Sequence, residues 1–236
     1  MIRRTAIALT FAAAIVGCGG SATPTITVFA AASLTDAFNA EATAYEQQSG
    51  VHVRFSFAGS QDLVAQLDQG APADAIATAD LATLDKVTAK LGTSAVFARN
   101  RLVIVTAPGN PKHIDTAADL SRHGVVVVLA APTVPAGKYA AAALQAAHVT
   151  VHPKSLEDNV RGVLTKVELR EADAGVVYVT DAKSAGSKVA TVELPTSPIA
   201  TYPAAALDRD GQRFVDFLTS PAGQAILARF GFLPPR

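Results

Sequence analysis

From Val51 to Phe57 the chain alternates. Val51, Val53, Phe55 and Phe57 are apolar, and His52, Arg54 and Ser56 between them are polar. A period of two is that of a strand with one buried face. The stretch before it has a different period: Leu34, Ala37, Phe38, Ala42 and Tyr45 recur at helical spacing over residues 34–48, and Gly50 follows as a helix-ending residue. Ahead of that helix, residues 25–30 form a short apolar run suited to a buried strand. The succession continues. Ala58-Gly59-Ser60 turns into a helix with Leu63, Val64 and Leu67 inward and Gly70 at its end. Residues 73–77 make a short strand, and Asp80 caps a third helix carrying Leu84, Val87 and Leu91. Strand and helix in alternation predict a parallel sheet with helices on its faces.

A strong apolar strand over residues 102–107 runs into Pro108-Gly109-Asn110-Pro111, a turn that suits a crossover to a second lobe. Beyond it the pattern predicts a helix near 116–121, a strand over 125–130 and an alanine-rich helix opened by Pro135 and reaching about Ala147. Next come a helix over 158–170, with Val160, Val163, Leu164 and Val167 inward, and strands over 175–179 and 189–194. Residues 201–207 are extended and return to the first lobe. A helix over 208–218 and another from Ser220-Pro221 to Gly231 finish the chain. The expectation is an α/β chain of two lobes, each a mixed, mostly parallel sheet flanked by helices. Lobe I takes residues 25–105 and 204–236 and lobe II residues 106–203, with crossings near Thr106 and Tyr202.

Half of the 236 residues are hydrophobic, enough for a sizeable core or two smaller ones. Twenty Lys and Arg balance 20 Asp and Glu, so charge gives no support for nucleic-acid binding. The N-terminus differs from the rest. Arg3 and Arg4 precede an apolar run over residues 6–16, too short for a comfortable membrane span, so residues 1–17 are expected to be a signal peptide. Ile15-Val16-Gly17-Cys18 resembles a bacterial lipobox, which implies cleavage before Cys18 and lipid on its thiol; an unmodified thiol in an ordinary signal peptide is the alternative. Residues 18–24, with Gly19-Gly20-Ser21, would be the tether. Cys18 is the single cysteine, so no internal disulfide is possible. The mature protein is expected outside the cytoplasmic membrane, lipid-anchored and monomeric, with no cofactor.

The candidate chemistry lies where strands run into helices. A helix start presents backbone N–H groups with no acceptor in the helix, which makes it a natural oxyanion site. Ser33, in Val28-Phe29-Ala30-Ala31-Ala32-Ser33-Leu34, is placed as such an N-cap, and Ser60 repeats the arrangement. Either could be structural only. Together they offer two hydroxyls to the carboxyl edge of one sheet, where ligands bind in open α/β folds. Ala136, between Pro135 and Gly137, and Val160 can each contribute only a backbone N–H, or can be packing residues. Tyr178, in the apolar strand Val176-Val177-Tyr178-Val179, is equally suited to a core role or to a ligand contact at the strand end.

The ordered set VFAAASL, FAGS, GAPAD, VPAGKYA, DNVRG and AGVVYVTDA, from about Thr25 to Phe232, resembles the periplasmic molybdate-binding proteins of ABC transporters. The resemblance implies a two-lobed periplasmic binding protein of type II that holds molybdate or tungstate in its cleft and hands it to a membrane permease. It matches the serine hydroxyl contacts to Ser33 and Ser60, the backbone contacts to Ala136 and Val160, and the tyrosine hydroxyl to Tyr178. Gly59 and Gln61 flank the second serine where that family often has serine. The physics agrees: a buried dianion needs compensation, and donors plus helix N-termini supply it while excluding metal cations. Fixed donors also disfavour protonated ligands and leave size to separate molybdate and tungstate from sulfate. Arg161, one residue past Val160, should point about 100° away from the site. An oxyanion bridging the two lobes would favour the closed form.

Three other readings compete. The same fold could hold sulfate or phosphate. Ser60 could be a hydrolase nucleophile, but AGSQD is not a G-x-S-x-G elbow and none of the histidines His52, His113, His123, His148 and His152 sits in a persuasive motif. Asp62, Asp74, Asp80 and Asp158 could bind a metal, yet carboxylates near helix starts are better explained as caps.

Overall fold

The computed structural model describes residues 23–236. The signal peptide assigned to residues 1–17, and Cys18 with most of its tether, lie outside the described residues. β1 (Thr25–Ala31) leads through one 3-10 turn, Ala32–Leu34, into α1 (Thr35–Ser49), which Gly50 ends in the left-handed conformation at φ 71°. β2 (His52–Ala58), α2 (Ser60–Asp68), β3 (Ala75–Ala77), α3 (Leu81–Leu84) and β4 (Ser94–Asn100) follow. Arg101 alone separates β4 from β5 (Leu102–Thr106). Then come β6 (Val127–Ala130), α4 (Pro135–Ala146), β7 (Ser155–Glu157), α5 (Val160–Glu168), β8 (Ala174–Tyr178), α6 (Val179–Ala185) and β9 (Ala190–Glu193). β10 (Ala200–Ala206), α7 (Arg209–Thr219) and α8 (Pro221–Phe230) complete the chain.

The strands form two sheets of the same design, ordered β2-β1-β3-β10-β4 and β7-β6-β8-β5-β9. In each, one strand runs against the others: β10 is antiparallel to β3 and β4, and β5 is antiparallel to β8 and β9. The reversed strand is in both cases the one that has just arrived from the other sheet. The two-lobed α/β architecture with mixed sheets is therefore as expected. The lobe limits are not. β5 belongs to the second sheet, so the first crossing is Arg101 rather than the neighbourhood of Thr106, and the second lies between β9 and β10 rather than near Tyr202. The error has one source. Ser94-Ala95-Val96-Phe97-Ala98-Arg99-Asn100 carries no clean alternation and gave no strand signal, yet β4 there is the edge of the first sheet. The two crossings are tied together, because the Leu102 N–H donates to Ser197 Oγ at 2.8 Å.

Most helices follow their sequence signals. Val160, Val163, Leu164 and Val167 are all buried, as α5 requires. Ser220 caps α8 by accepting the Gly223 N–H, Pro221 opens it and Gly231 ends it at φ 95°. Asp80 accepts the Thr83 N–H at 2.7 Å and caps α3. That helix lasts one turn and continues as 3-10 over Asp85–Lys90, where β-branched Val87 and Thr88 favour helix less. The segment expected to be helical near residue 116 is likewise a 3-10 turn, Ala117–Ser121. α6 had no counterpart in the sequence reading. In the first lobe, Phe38, Phe55, Phe97 and Phe214 pack on one face of the sheet, and Leu63, Leu67, Ile76 and Leu84 on the other. The first sheet is thus packed on both faces.

Candidate functional site

The parallel strands aim their carboxyl ends at one place. Ser33 follows β1, Ser60 follows β2 and Ala79 follows β3; Ala136 follows β6, Val160 follows β7 and Tyr178 ends β8. All six line a single cavity between the lobes, walled otherwise by small residues such as Ala31, Ala32, Ala58 and Gly59. Its empty volume is about 210 Å³. Ser33, Ser60, Ala136, Val160 and Tyr178 are each no more than 3% exposed, so the lobes are closed over it. The five residues singled out from the sequence are therefore brought together. Among the described residues no Lys, Arg, His, Asp or Glu lines the cavity.

The serines reach it differently from the expectation. Ser33 is not a side-chain N-cap: it lies inside the 3-10 turn, and α1 starts at Thr35. Its Oγ is 3.0 Å from the Tyr202 hydroxyl. Ser60 is the first residue of α2 rather than its cap, and its Oγ accepts the Ala79 N–H at 3.1 Å. In both cases the Oγ has a hydrogen-bond partner outside the helix, which keeps the side chain off its own backbone and facing the cavity.

On the second lobe the donors come from helix starts. In α4 the first N–H that bonds back is that of Lys138, to Val134 O at 3.0 Å; Pro135 has none, so Ala136 and Gly137 carry free N–H groups. Gly137 is needed here, since a Cβ would press into the Ala130 and Ala131 carbonyls. Asn159 caps α5, its Oδ1 accepting the Gly162 N–H at 3.1 Å, which leaves the Val160 N–H at the helix start. The Tyr178 hydroxyl is buried with no hydrogen-bond partner among the described residues. Burial holds its pKa well above the usual range, so it is an intact O–H donor. An unpartnered buried hydroxyl is costly, and this one belongs to a residue that lines the cavity.

Charges stand around the cavity instead of in it. Arg161 pairs with Asp36 of the first lobe and, at 2.8 Å, with Asp181 of the second. Burial pushes the Asp181 carboxyl up to about 7, against the pull of Arg161 and the Tyr178 N–H. Lys138 reaches across to Asp80 at 2.8 Å and to Thr83 Oγ1 at 3.1 Å. The Gln61 amide donates to Asp158 O at 2.8 Å, and a Cβ on Gly59 would lie 2.5 Å from the same carbonyl. The two departures from the family pattern, Gly59 and Gln61, therefore shape the interlobe rim. Arg161 does point away from the cavity, but its role in bridging the lobes was not foreseen. Tyr202 was missed as well. A large polar residue in the run Ala200-Thr201-Tyr202-Pro203-Ala204 was the available signal.

Ser60 has its oxygen engaged by an amide, and among the described residues no imidazole lines the cavity. Asp80 is a helix cap and salt-bridge partner, and Asp74 accepts the Thr27 N–H.

The chain matches the family of bacterial extracellular solute-binding proteins over residues 26–233. It is 44% identical over 222 residues to "Molybdate-binding protein ModA" of Mycobacterium tuberculosis, covering 89% of this chain and 85% of that one. The solved structure of the periplasmic molybdate-binding protein of Azotobacter vinelandii superposes with a TM-score of 0.79 at 19% identity, covering 89% of this chain and all of that one. The sulfate-binding protein SubI of Mycobacterium tuberculosis superposes as well, with a TM-score of 0.80 at 22% identity, covering 89% and 87%. The fold is thus common to proteins named for different oxyanions.

Proposed function

The chain belongs to the bacterial extracellular solute-binding protein family, and on that footing we propose that it captures molybdate, and tungstate with it, between its lobes for delivery to an ABC permease. One observation carries the reading: a small closed cavity lined by the Ser33, Ser60 and Tyr178 hydroxyls and by the helix starts at Ala136 and Val160, with no charged side chain in its wall among the described residues. A tetrahedral dianion there accepts from donors on both lobes. Ser33 and Ser60 belong to the first, and Ala136, Val160 and Tyr178 to the second. The helix N-termini supply partial positive charge in place of lysine or arginine. Because the anion touches both lobes only when they meet, it stabilises the closed form by differential contact. Arg101 and the β9–β10 connection are the hinge in this reading.

The 44% identity to a protein named for molybdate supports molybdate over sulfate, which the fold alone does not decide. Rigid strand ends and helix starts select by size, so molybdate and tungstate, which differ little, are held alike. The role is binding and not catalysis. The protein acts outside the cytoplasmic membrane as a monomer, held there by lipid on Cys18; among the described residues no helix is long and apolar enough to cross a membrane.

The test is a thermal-shift panel on the chain begun after Cys18, with molybdate, tungstate, sulfate and phosphate at equal excess. A ligand at a hundred times its dissociation constant adds about 2.7 kcal/mol, which is about 5–10 °C for a chain of this size. Shifts with molybdate and tungstate but not sulfate support the reading. A shift with sulfate or phosphate alone moves the substrate, and no shift with any of the four rejects the function.

A further inference from the structure

We propose that Tyr202 sets the hydrogen-bond polarity of the cavity: its hydroxyl donates to Ser33 Oγ, which commits the Ser33 hydroxyl hydrogen to the ligand. The inference rests on the oxyanion reading above and deepens it, because it names the residue through which the site refuses oxyanions that carry a proton.

A serine hydroxyl can donate one hydrogen or accept at its lone pairs. Facing a bare oxyanion it donates. Facing an O–H it can rotate and accept, so freely rotating serines discriminate poorly between the two. Neither serine here is free. Ser60 Oγ already accepts the Ala79 N–H, and an amide cannot reverse its role. Ser33 Oγ is 3.0 Å from Tyr202 Oη, where either oxygen could donate. Two features fix the direction. A phenol is the more acidic hydroxyl and the better donor, and an alkyl hydroxyl is the better acceptor. Burial also keeps Tyr202 protonated, holding its pKa well above the usual range. Tyr202 cannot swing away to choose another geometry. It is fully buried on β10, edge-on to Phe97, Tyr178 and Phe232 at 5.4–6.3 Å between ring centres. With Ser33 and Ser60 both turned to donate, an incoming O–H meets a hydrogen at each serine, and of the three hydroxyls only that of Tyr178, unpartnered among the described residues, is free to turn and accept it.

Tyr202 is thus a positioning residue: it acts on the ligand through Ser33. Tyr202→Phe keeps the ring and its packing and removes the hydroxyl that meets Ser33, together with its approaches to Asn100 and Tyr178. The experiment titrates the wild-type chain begun after Cys18, Tyr202→Phe, Ser33→Ala and the double variant with molybdate by calorimetry. It also titrates selenate and hydrogenarsenate, two dianions of nearly equal size of which only the second carries a proton. Tyr202→Phe is expected to weaken molybdate by about tenfold and to lower the selenate-to-hydrogenarsenate affinity ratio by about as much, with the unliganded melting temperature little changed. The double variant should bind molybdate no more weakly than Ser33→Ala, since both substitutions break one chain of bonds. A merely structural tyrosine would weaken all three anions alike, or its effect would multiply with that of Ser33→Ala, and either outcome overturns the proposal. Wild-type protein supplies a measurement that needs no variant: equal affinity for selenate and hydrogenarsenate also overturns it. If wild-type protein binds none of these anions, the oxyanion reading falls and takes this inference with it. If it binds molybdate while the double-variant cycle multiplies, only the inference falls.

Discussion

Replacing Tyr178 by phenylalanine takes one oxygen from the cavity wall and leaves the ring that packs against Tyr202. The hydroxyl is buried and has no partner among the described residues, so the unliganded protein has no hydrogen bond to lose. A buried unsatisfied polar group costs about 1–3 kcal/mol. The variant should therefore unfold no more readily than wild type, and up to about 1–3 kcal/mol less readily where the lobes stay closed. Binding moves the other way. A hydrogen bond to a charged group is worth about 1.5–3 kcal/mol, so molybdate affinity should fall roughly 10- to 150-fold. Calorimetric titration and urea unfolding of the unliganded protein measure the two halves separately. Unchanged affinity would refute the reasoning. So would lost affinity accompanied by lost unliganded stability, since that pairing belongs to a core tyrosine whose hydroxyl holds up the fold.

Gly59→Ala is compatible with the open backbone, φ −59°, but places a methyl 2.5 Å from Asp158 O of the other lobe; more than about tenfold of affinity should be lost, and small-angle scattering with molybdate should show a molecule that stays open. Arg161→Ala lies off the cavity and should weaken molybdate less than Ser33→Ala. It should nonetheless destabilise the fold by about 3–5 kcal/mol, because buried Asp181 loses its counter-charge, and Asp181→Asn in the same chain should restore most of that loss in urea titrations. Glu41, fully buried on α1 with neither carboxylate oxygen bonded, is pushed by burial from 4.5 to about 8 while Arg229 pulls it down. A carboxyl whose folded pKa is raised favours the fold when protonated, so its contribution is present at low pH and is lost as pH rises from about 4.5 through about 8. At about 1.4 kcal/mol per unit the loss is at most roughly 5 kcal/mol, and Glu41→Gln should flatten the dependence of the urea midpoint on pH across that window.

What the sequence made legible was local. Val160, Val163, Leu164 and Val167 announce a helix face by spacing, and Ser220, Pro221 and Gly231 announce the ends of another through capping chemistry that acts within a few residues. The strand-end positions that line the cavity were legible too, because a strand running into a helix start is a local event repeated along the chain. Long-range choices were not. Whether Leu102–Thr106 joins the first or the second sheet depends on partners far away in sequence, and an unread neighbour at Ser94–Asn100 displaced the lobe boundary. Ser33 looked like a cap because its local context permits one; a tyrosine 169 positions later is its hydrogen-bond partner instead. Arg161, Asp36 and Asp181 come together from three helices, and no spacing rule anticipates such a triad. Glu41 did carry a signal. It stands three residues after Phe38 and four before Tyr45, on the buried stripe of α1.

One small cavity, built from strand ends and helix starts of both lobes, is the proposed seat of the oxyanion. Crystals grown with molybdate test it most directly through the anomalous scattering of molybdenum. The expected result is a single strong peak enclosed by Ser33, Ser60, Ala136, Val160 and Tyr178, with oxygens in hydrogen-bond reach of both lobes. A peak elsewhere, or a molybdate held by one lobe alone with the other turned away, would contradict the claim.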